Sequence, residues 1–337
     1  ETRKYQKDPA PRRGKTEFTL TVICPKGGQQ EQQVRNALKA WILFGGYGSR
    51  TRRGLGSLTV KKEDQDQWLP KAATKKAING LFEGLDPLGK EVGEEDKFKG
   101  DTPRLQGALL YVGDSENKDG KKAWEEALNK LKDFRQGPGF ARKNYEGPNN
   151  RDQYDTRRPG RSFWPEPDCI RRLWINKKYK WAHDPIYKGN ITWPRADFGL
   201  PIGVRFQNKS REVKYIKQDG RRVYKKWSEC NPPMYEPDKD VSIKWKLGSV
   251  EYDRLASPLI LKPLPLANGK YVPCALWLNR GYPEGEVFVD GLNGSEPPFD
   301  KLTAQVDDVF FKPLKDKDTL RDAFLDWLKT KNFKEVQ

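Results

Sequence analysis

Residues 44–58 read FGGYGSRTRRGLGSL, five glycines around three arginines. Guanidinium groups present fork-shaped donors that suit phosphate oxygens. Glycine lets a backbone turn tightly and approach another group without a Cβ clash. Gly45, Gly46, Gly48, Arg50, Arg52, Arg53, Gly54 and Gly56 are therefore candidate anion-binding residues. Successive N–H groups in such a loop can also form an anion nest. An ordinary turn with solvated charges is the alternative. A second cluster, RRPGRSFWPEPDCIRRLW, spans 157–174. Arg158, Arg161 and Arg171 could take phosphates while Trp164 stacks on an unpaired base. The same residues also suit an architectural role, with Pro165 and Pro167 stiffening the entry to a helix that Glu166 or Asp168 would cap.

Hydrolytic chemistry finds little support. His183 is the only histidine, and a lone histidine in KYKWAHDPIYK reads as structural more readily than as a general base. Asp184 and Asp197 have no spacing that singles them out. Serine-triad and HExxH patterns are absent. Cys24, Cys169, Cys230 and Cys274 form no C-x-x-C pair, so no zinc ribbon or other metal site is expected, and no cofactor.

The elements that must position these residues follow from periodicity. EFTLTVICP (17–25) places Phe18, Leu20, Val22 and Cys24 on one face and predicts a strand. EQQVRNALKAWILF carries Val34, Ala37, Leu38, Trp41 and Ile42 at helical spacing, and Gly45 and Gly46 end it, with a left-handed C-cap expected. SLTVKK (57–62) predicts a second strand. The glycines thus follow a helix and precede a strand. A dinucleotide site needs glycines between a strand and the N-terminus of a helix, so that phosphate meets the helix dipole, and no GxxxxGK[ST] occurs at this loop.

Farther on, residues 61–105 are polar and charged, with GEEDKFKGDTPR (93–104) reading as a linker or mobile loop, and GALLYVG (107–113) reads as a strand. KKAWEEALNKLKDF (121–134) puts Ala123, Trp124, Ala127, Leu128, Leu131 and Phe134 on one helical face. FGLPIGVRF (198–206) predicts a strand, 207–250 a charged insertion, 257–278 two strands about Asn268-Gly269, and 320–329 a closing helix with Leu320, Phe324, Trp327 and Leu328 inward. Strands and helices in comparable number with hairpins indicate an α+β fold.

The 337 residues carry 64 Lys and Arg against 47 Asp and Glu, a formal charge of +17. Mean hydropathy is −0.93. Such a surplus attracts polyanions, and with 11 Trp, 13 Tyr and 15 Phe the balance favours nucleic acid. Neither a signal peptide nor an apolar run of membrane-spanning length is present, so the expectation is a soluble chain in a reducing, cytoplasmic setting without a membrane partner.

Four stretches, ALKAWILFGGYGSRTRRGLGSL, GRSFWPEPDCIRR, WPRADFGLPIGVRF and RLASPLILKP, occur in this order between about residues 15 and 280. Together they resemble the RAMP-superfamily family that forms the first subunit of the Cmr (type III-B CRISPR) effector complex. The resemblance implies two ferredoxin-like (RRM-like) domains, here residues 1–100 with the glycine-rich loop and linker, then 101–337 with insertions. It places the loop between the last helix and last strand of the first domain. It implies a subunit at the crRNA 3′ end of a helical ribonucleoprotein, beside other Cmr-complex RAMP subunits. There it would help bind crRNA and capture single-stranded target RNA, in antiviral defence, without cutting. The matching positions are the eight loop residues above and Arg161, Trp164, Pro165, Glu166, Pro167, Asp168 and Arg171. The family's opening strand, with its TP…GG motif, and its basic Trp-containing helix do not precede Glu1 here. The resemblance therefore implies that the opening half of the first domain lies outside this sequence. A RAMP endoribonuclease using His183 or a carboxylate, and a structural end-cap with little RNA contact, are the alternatives.

Overall fold

The strand and helix periods of the middle of the chain meet in one sheet covered on both faces. The computed structural model describes residues 16–89, 102–136, 164–174, 180–181, 185, 187–204, 206, 212–216, 222–226, 234–235, 237, 240–252, 254–281, 283–292, 314 and 316–336. Helix α1 (Gln29–Phe44) is followed by two short helices, α2 (Gln65–Trp68) and α3 (Lys75–Asn79). Then come β1 (Arg104–Gly113), α4 (Gly120–Gln136), α5 (Glu166–Leu173), β2 (Lys180–Trp181) and β3 (Ile202–Val204). The charged region forms β4 (Glu212–Ile216), β5 (Arg222–Lys226), β6 (Met234–Tyr235), β7 (Val241–Leu247) and β8 (Val250–Tyr252). The chain closes with β9 (Leu259–Pro265), β10 (Tyr271–Asn279), β11 (Glu286–Val289), α6 (Leu320–Lys329) and β12 (Phe333–Glu335).

The main sheet runs β12-β1-β10-β9, antiparallel throughout. The β9–β10 hairpin turns at Asn268-Gly269 as the sequence predicts, with Gly269 at φ +73°. Because side chains alternate across a strand, β10 serves two cores. Ala275 and Trp277 join Ala127, Leu131 and Phe134 of α4 and Phe324 and Leu328 of α6. Val272, Cys274, Leu276 and Leu278 join Ile42, Leu43 and Phe44 of α1 with Leu69, Ile78, Phe82 and Leu88. A second sheet, β11-β7-β3 with β8 beside β7, adds Ile243, Trp245, Val287 and Val289 to the first of these cores. β4–β5 is a separate hairpin, and β2–β6 is a parallel pair. The architecture is mixed α and β with antiparallel sheets dominating, in line with the α+β expectation.

Some expectations fail, each for a physical reason. Residues 17–25 are extended but pair with no strand among the described residues; Phe18, Leu20 and Val22 stay 54, 52 and 45% exposed. Alternation specifies a face, yet a strand forms only against a sheet edge. Residues 57–61 form no strand either, and 62–64 make a 3-10 turn; Leu58 and Val60 pack partly buried against the second core. Within the polar, charged stretch, residues 62–89 are structured, with sparse apolar residues too irregular for a period anchoring α2 and α3, and the linker read at 93–104 lies almost wholly outside the described residues. The insertion read at 207–250 ends in β7, whose Val241, Ile243 and Trp245 alternate inward. In α1 the buried positions are Asn36, Ile42, Leu43 and Phe44, while Ala37 is exposed and Val34, Leu38 and Trp41 are half-buried. The helix is held by its last turn rather than along its predicted stripe.

Candidate nucleic-acid interface

Helix α1 ends where the glycine–arginine loop begins, and a buried lysine fixes that junction. Lys262 of β9 is 1% exposed and donates from Nζ to the carbonyls of Ile42 (2.8 Å) and Gly45 (2.9 Å). These carbonyls lie at the negative end of the helix dipole, where a cation is favourable. Burial lowers the Lys262 pKa to about 8. Gly45 is extended (φ −98°), not left-handed as expected; glycine is required there because a Cβ would fall 2.8 Å from Trp41.

From there the loop is pinned by two indoles. Trp41 Nε1 donates to Gly46 O (3.0 Å), and Trp124 Nε1 of α4 donates to Arg53 O (2.6 Å). Tyr47 N–H donates to Gly56 O (2.9 Å) and closes the loop on itself. Arg50 is left-handed (φ +60°), Thr51–Arg53 form one 3-10 turn, and Gly54 is left-handed again (φ +78°). The close approach that glycine permits is made mostly to protein. A Cβ on Gly54 would lie 2.4 Å from the Trp124 ring and 2.7 Å from Leu261 O, and one on Gly56 would lie 1.8 Å from Tyr47 O. Gly48 (φ +95°) alone of these three faces open space.

This frame presents Arg50 to solvent and holds Arg52 and Arg53 half-buried. Among the described residues no carboxylate pairs with any of the three. Burial pulls the pKa values of Arg52 and Arg53 downward, and nearby Arg280 adds to the effect at Arg52. Arg53 also lines a cavity of about 350 Å³ with Arg135, from the end of α4, and Arg195. The other wall is made by residues 198–203 with Leu255 and Ser257. Arg135 and Arg195 lie outside the residues the sequence singles out for chemistry. Arg195 was legible only as part of WPRADFG, and Arg135 looks like the first residue of a loop. Lys262 had a clearer signal: a lone charge in the apolar run SPLILKPLPL.

The second cluster is organised differently. Trp164 is 3% exposed, edge-on to Phe134 at 5.9 Å, and donates from Nε1 to Arg135 O (2.6 Å). It is a core residue whose ring is not open to a base. Arg171 is buried too, with Nη1 2.8 Å from Asp168 Oδ1. Asp168 Oδ2 accepts from Tyr187 N (3.0 Å), and Glu166 Oε1 accepts from Arg195 N (2.8 Å), so both carboxylates tie α5 to the segment that follows instead of merely capping it. Trp164 and Arg171 therefore sit inside the protein, 3 and 6% exposed, where the sequence reading expected a stacking ring and a phosphate contact. Arg158, Arg161, His183, Asp184 and Cys230 lie outside the described residues. Asp197 is buried, 3.1 Å from Arg280 Nη2. Cys24, Cys169 and Cys274 are free thiols. No His/Cys/Asp/Glu cluster able to hold a metal exists among the described residues, and none of their helices is long and apolar enough to cross a membrane.

The profile of the RAMP superfamily matches residues 1–59, a stretch that contains the whole glycine–arginine loop. The match makes the first 59 of the 337 residues similar to that superfamily. Neither the curated proteins nor the solved structures yield a match.

Proposed function

We propose that the protein is a non-catalytic RNA-binding subunit of a type III-B CRISPR ribonucleoprotein. In this reading it holds the crRNA 3′ end, helps capture single-stranded target RNA and contacts other Cmr-complex RAMP subunits, with ferredoxin-like units as its scaffold. One observation carries the reading. Arg50, Arg52 and Arg53 stand on a loop whose carbonyls are fixed by Lys262, Trp41 and Trp124, and no described carboxylate neutralises them. Cations on a pinned backbone without a described carboxylate partner are suited to phosphate, because little backbone order remains to be lost on binding. The formal charge of +17 adds long-range attraction.

Replacing Arg50, Arg52 and Arg53 by Ala tests it. If each arginine meets one phosphate of a single strand, the slope of log affinity against log salt falls by about 2, at ~0.7 per contact. An unchanged slope returns the loop to a solvated turn. Incubation of the chain with end-labelled crRNA precursor and target RNA should yield no shortened product; cleavage that is lost in His183→Ala would make the protein a nuclease.

A further inference from the structure

The cavity beside the loop is an unusual place for three arginines. Burial, with repulsion from Arg195 and Arg53, lowers the Arg135 pKa to about 10, and Glu166 acts in the opposite direction. Arg53 Nη1 and Arg195 Nη2 are closed off from solvent and have no hydrogen-bond partner. Glu166 is fully buried, with Oε1 3.1 Å from Arg195 Nε, near enough for an ion pair but not aligned for a hydrogen bond. It is not part of the cavity wall. The Arg195 guanidinium also lies over the Trp164 ring, 5.6 Å from its centroid, which holds it in place from behind. Among the described residues these three like charges thus share one carboxylate, which does not line the cavity. Ser257 lines the same space, and its oxygen accepts from Leu259 N (3.2 Å), leaving its own proton to donate.

Buried donors are normally satisfied, and buried like charges are costly unless an opposite charge joins them. The missing component is a compact anion with several acceptor oxygens. At about 350 Å³ the space is at the small end of ligand pockets, roughly 300–1,000 Å³, too small for a duplex and ample for one phosphate with part of a nucleotide.

We propose that the cavity lined by Arg53, Arg135 and Arg195 receives a single phosphate group of a bound RNA strand, seated deeper than the phosphates that meet the exposed loop. The inference rests on the RNA-binding reading for the source of the phosphate, but the anion site itself does not. Arg53 belongs to both, so the loop and the cavity form one track along which the strand bends inward. The phosphate is either an internal phosphodiester or a terminal phosphomonoester; both offer the same oxygens, and strand ends separate them.

The experiment uses the whole chain, inorganic phosphate and a short oligouridine with hydroxyl, 5′-phosphate or 3′-phosphate ends. Arg135→Gln is the informative variant, since the Arg135 carbonyl that accepts from Trp164 is left in place. Phosphate at ionic strength matched with chloride should raise the melting temperature of the wild type and have much less effect on Arg135→Gln. In chloride alone the variant should melt no lower than the wild type, because a repelling charge is gone. A structural arginine would give the reverse. Oligouridine affinity should fall roughly 10- to 100-fold in the variant, the worth of one charge-assisted hydrogen bond. An equal loss for all three ends assigns an internal phosphodiester, and a loss confined to one phosphorylated end assigns a terminal phosphate. Should the wild type bind oligouridine while phosphate leaves its melting unchanged and Arg135→Gln binds as tightly, the cavity proposal is overturned and the RNA reading stands. Stabilisation by phosphate without oligouridine binding overturns the RNA reading and leaves an anion site. Arg53→Gln repeats the phosphate arm should Arg135→Gln not fold.

Discussion

The glycine–arginine loop and the segment from Trp164 to Asp197 look alike as sequence and differ as structure. Both combine arginines with aromatic residues and with residues that stiffen or bend the backbone. In the second segment two buried or half-buried arginines meet acids, Arg171 at Asp168 and Arg195 at Glu166, Arg172 meets the carbonyl of Gly189, and Arg280 from outside the segment reaches Asp197. Its tryptophan is inside the core. In the loop the tryptophans, Trp41 and Trp124, are the clamps, and the arginines pair with no acid among the described residues. The difference teaches that an arginine–aromatic composition marks two opposite things, an internal joint or an external ligand surface. The location of the carboxylates separates most of them, and Arg195 stands between the two, paired with Glu166 and also lining the cavity.

The comparison breaks most visibly at Trp164. Trp164→Ala should cost about 3–5 kcal/mol of stability, because it empties a site packed against Phe134 and Arg195. Chemical denaturation measures it. A variant with unchanged stability and a tenfold loss of RNA affinity would put Trp164 in the ligand class. Asp168→Ala should cost a similar 3–5 kcal/mol, since it strands the buried Arg171 and the Tyr187 N–H.

Lys262 sharpens the loop side through pH. Its folded pKa of about 8 lies below the ordinary lysine value of 10.5, so the unfolded chain binds more protons between those two values. Stability therefore rises with pH through that window, and is lowest below about pH 8, where the lysine is charged in both states. Over the whole window the gain from this group is about 3 kcal/mol. Lys262→Met should lack this rise, and the difference between the two denaturation curves at pH 8 and pH 10 isolates it. Parallel curves would mean that the ammonium is solvated in the folded protein.

Gly54→Ala should cost about 1–3 kcal/mol, from a left-handed backbone and a Cβ that displaces Trp124. RNA affinity should fall with it, as the loop loses its clamp; full affinity would show that the arginines need no rigid frame. Arg50→Ala is the gentlest test. Stability should change by less than about 0.5 kcal/mol, and the salt slope of RNA binding by ~0.7. A loss of stability above 1 kcal/mol would place Arg50 with the joint-forming arginines.

The sequence by itself determined the parts governed by local period and turn chemistry. Helix α4 was legible because Ala123, Ala127, Leu131 and Phe134 recur at helical spacing and are buried. The β9–β10 hairpin was legible because Asn268-Gly269 demands a tight turn between apolar runs. The site was half legible: glycine and arginine spacing identified the loop, and SPLILKP contained its lysine. Tertiary structure decided the rest. The stretch at 17–25 has strand alternation without a strand, because pairing needs an edge supplied by other residues. Gly54 and Gly56 turn out to be close to Trp124 and Tyr47, which no local pattern encodes. Arg53, Arg135 and Arg195 are far apart in the chain and meet only because α4 and the 3-10 turn Pro194–Phe198 ahead of β3 converge on the loop. Whether an arginine is a joint or a ligand site depends on which carboxylates folding brings within a few ångströms, and Coulomb energy at that range is set by distance and burial rather than by composition.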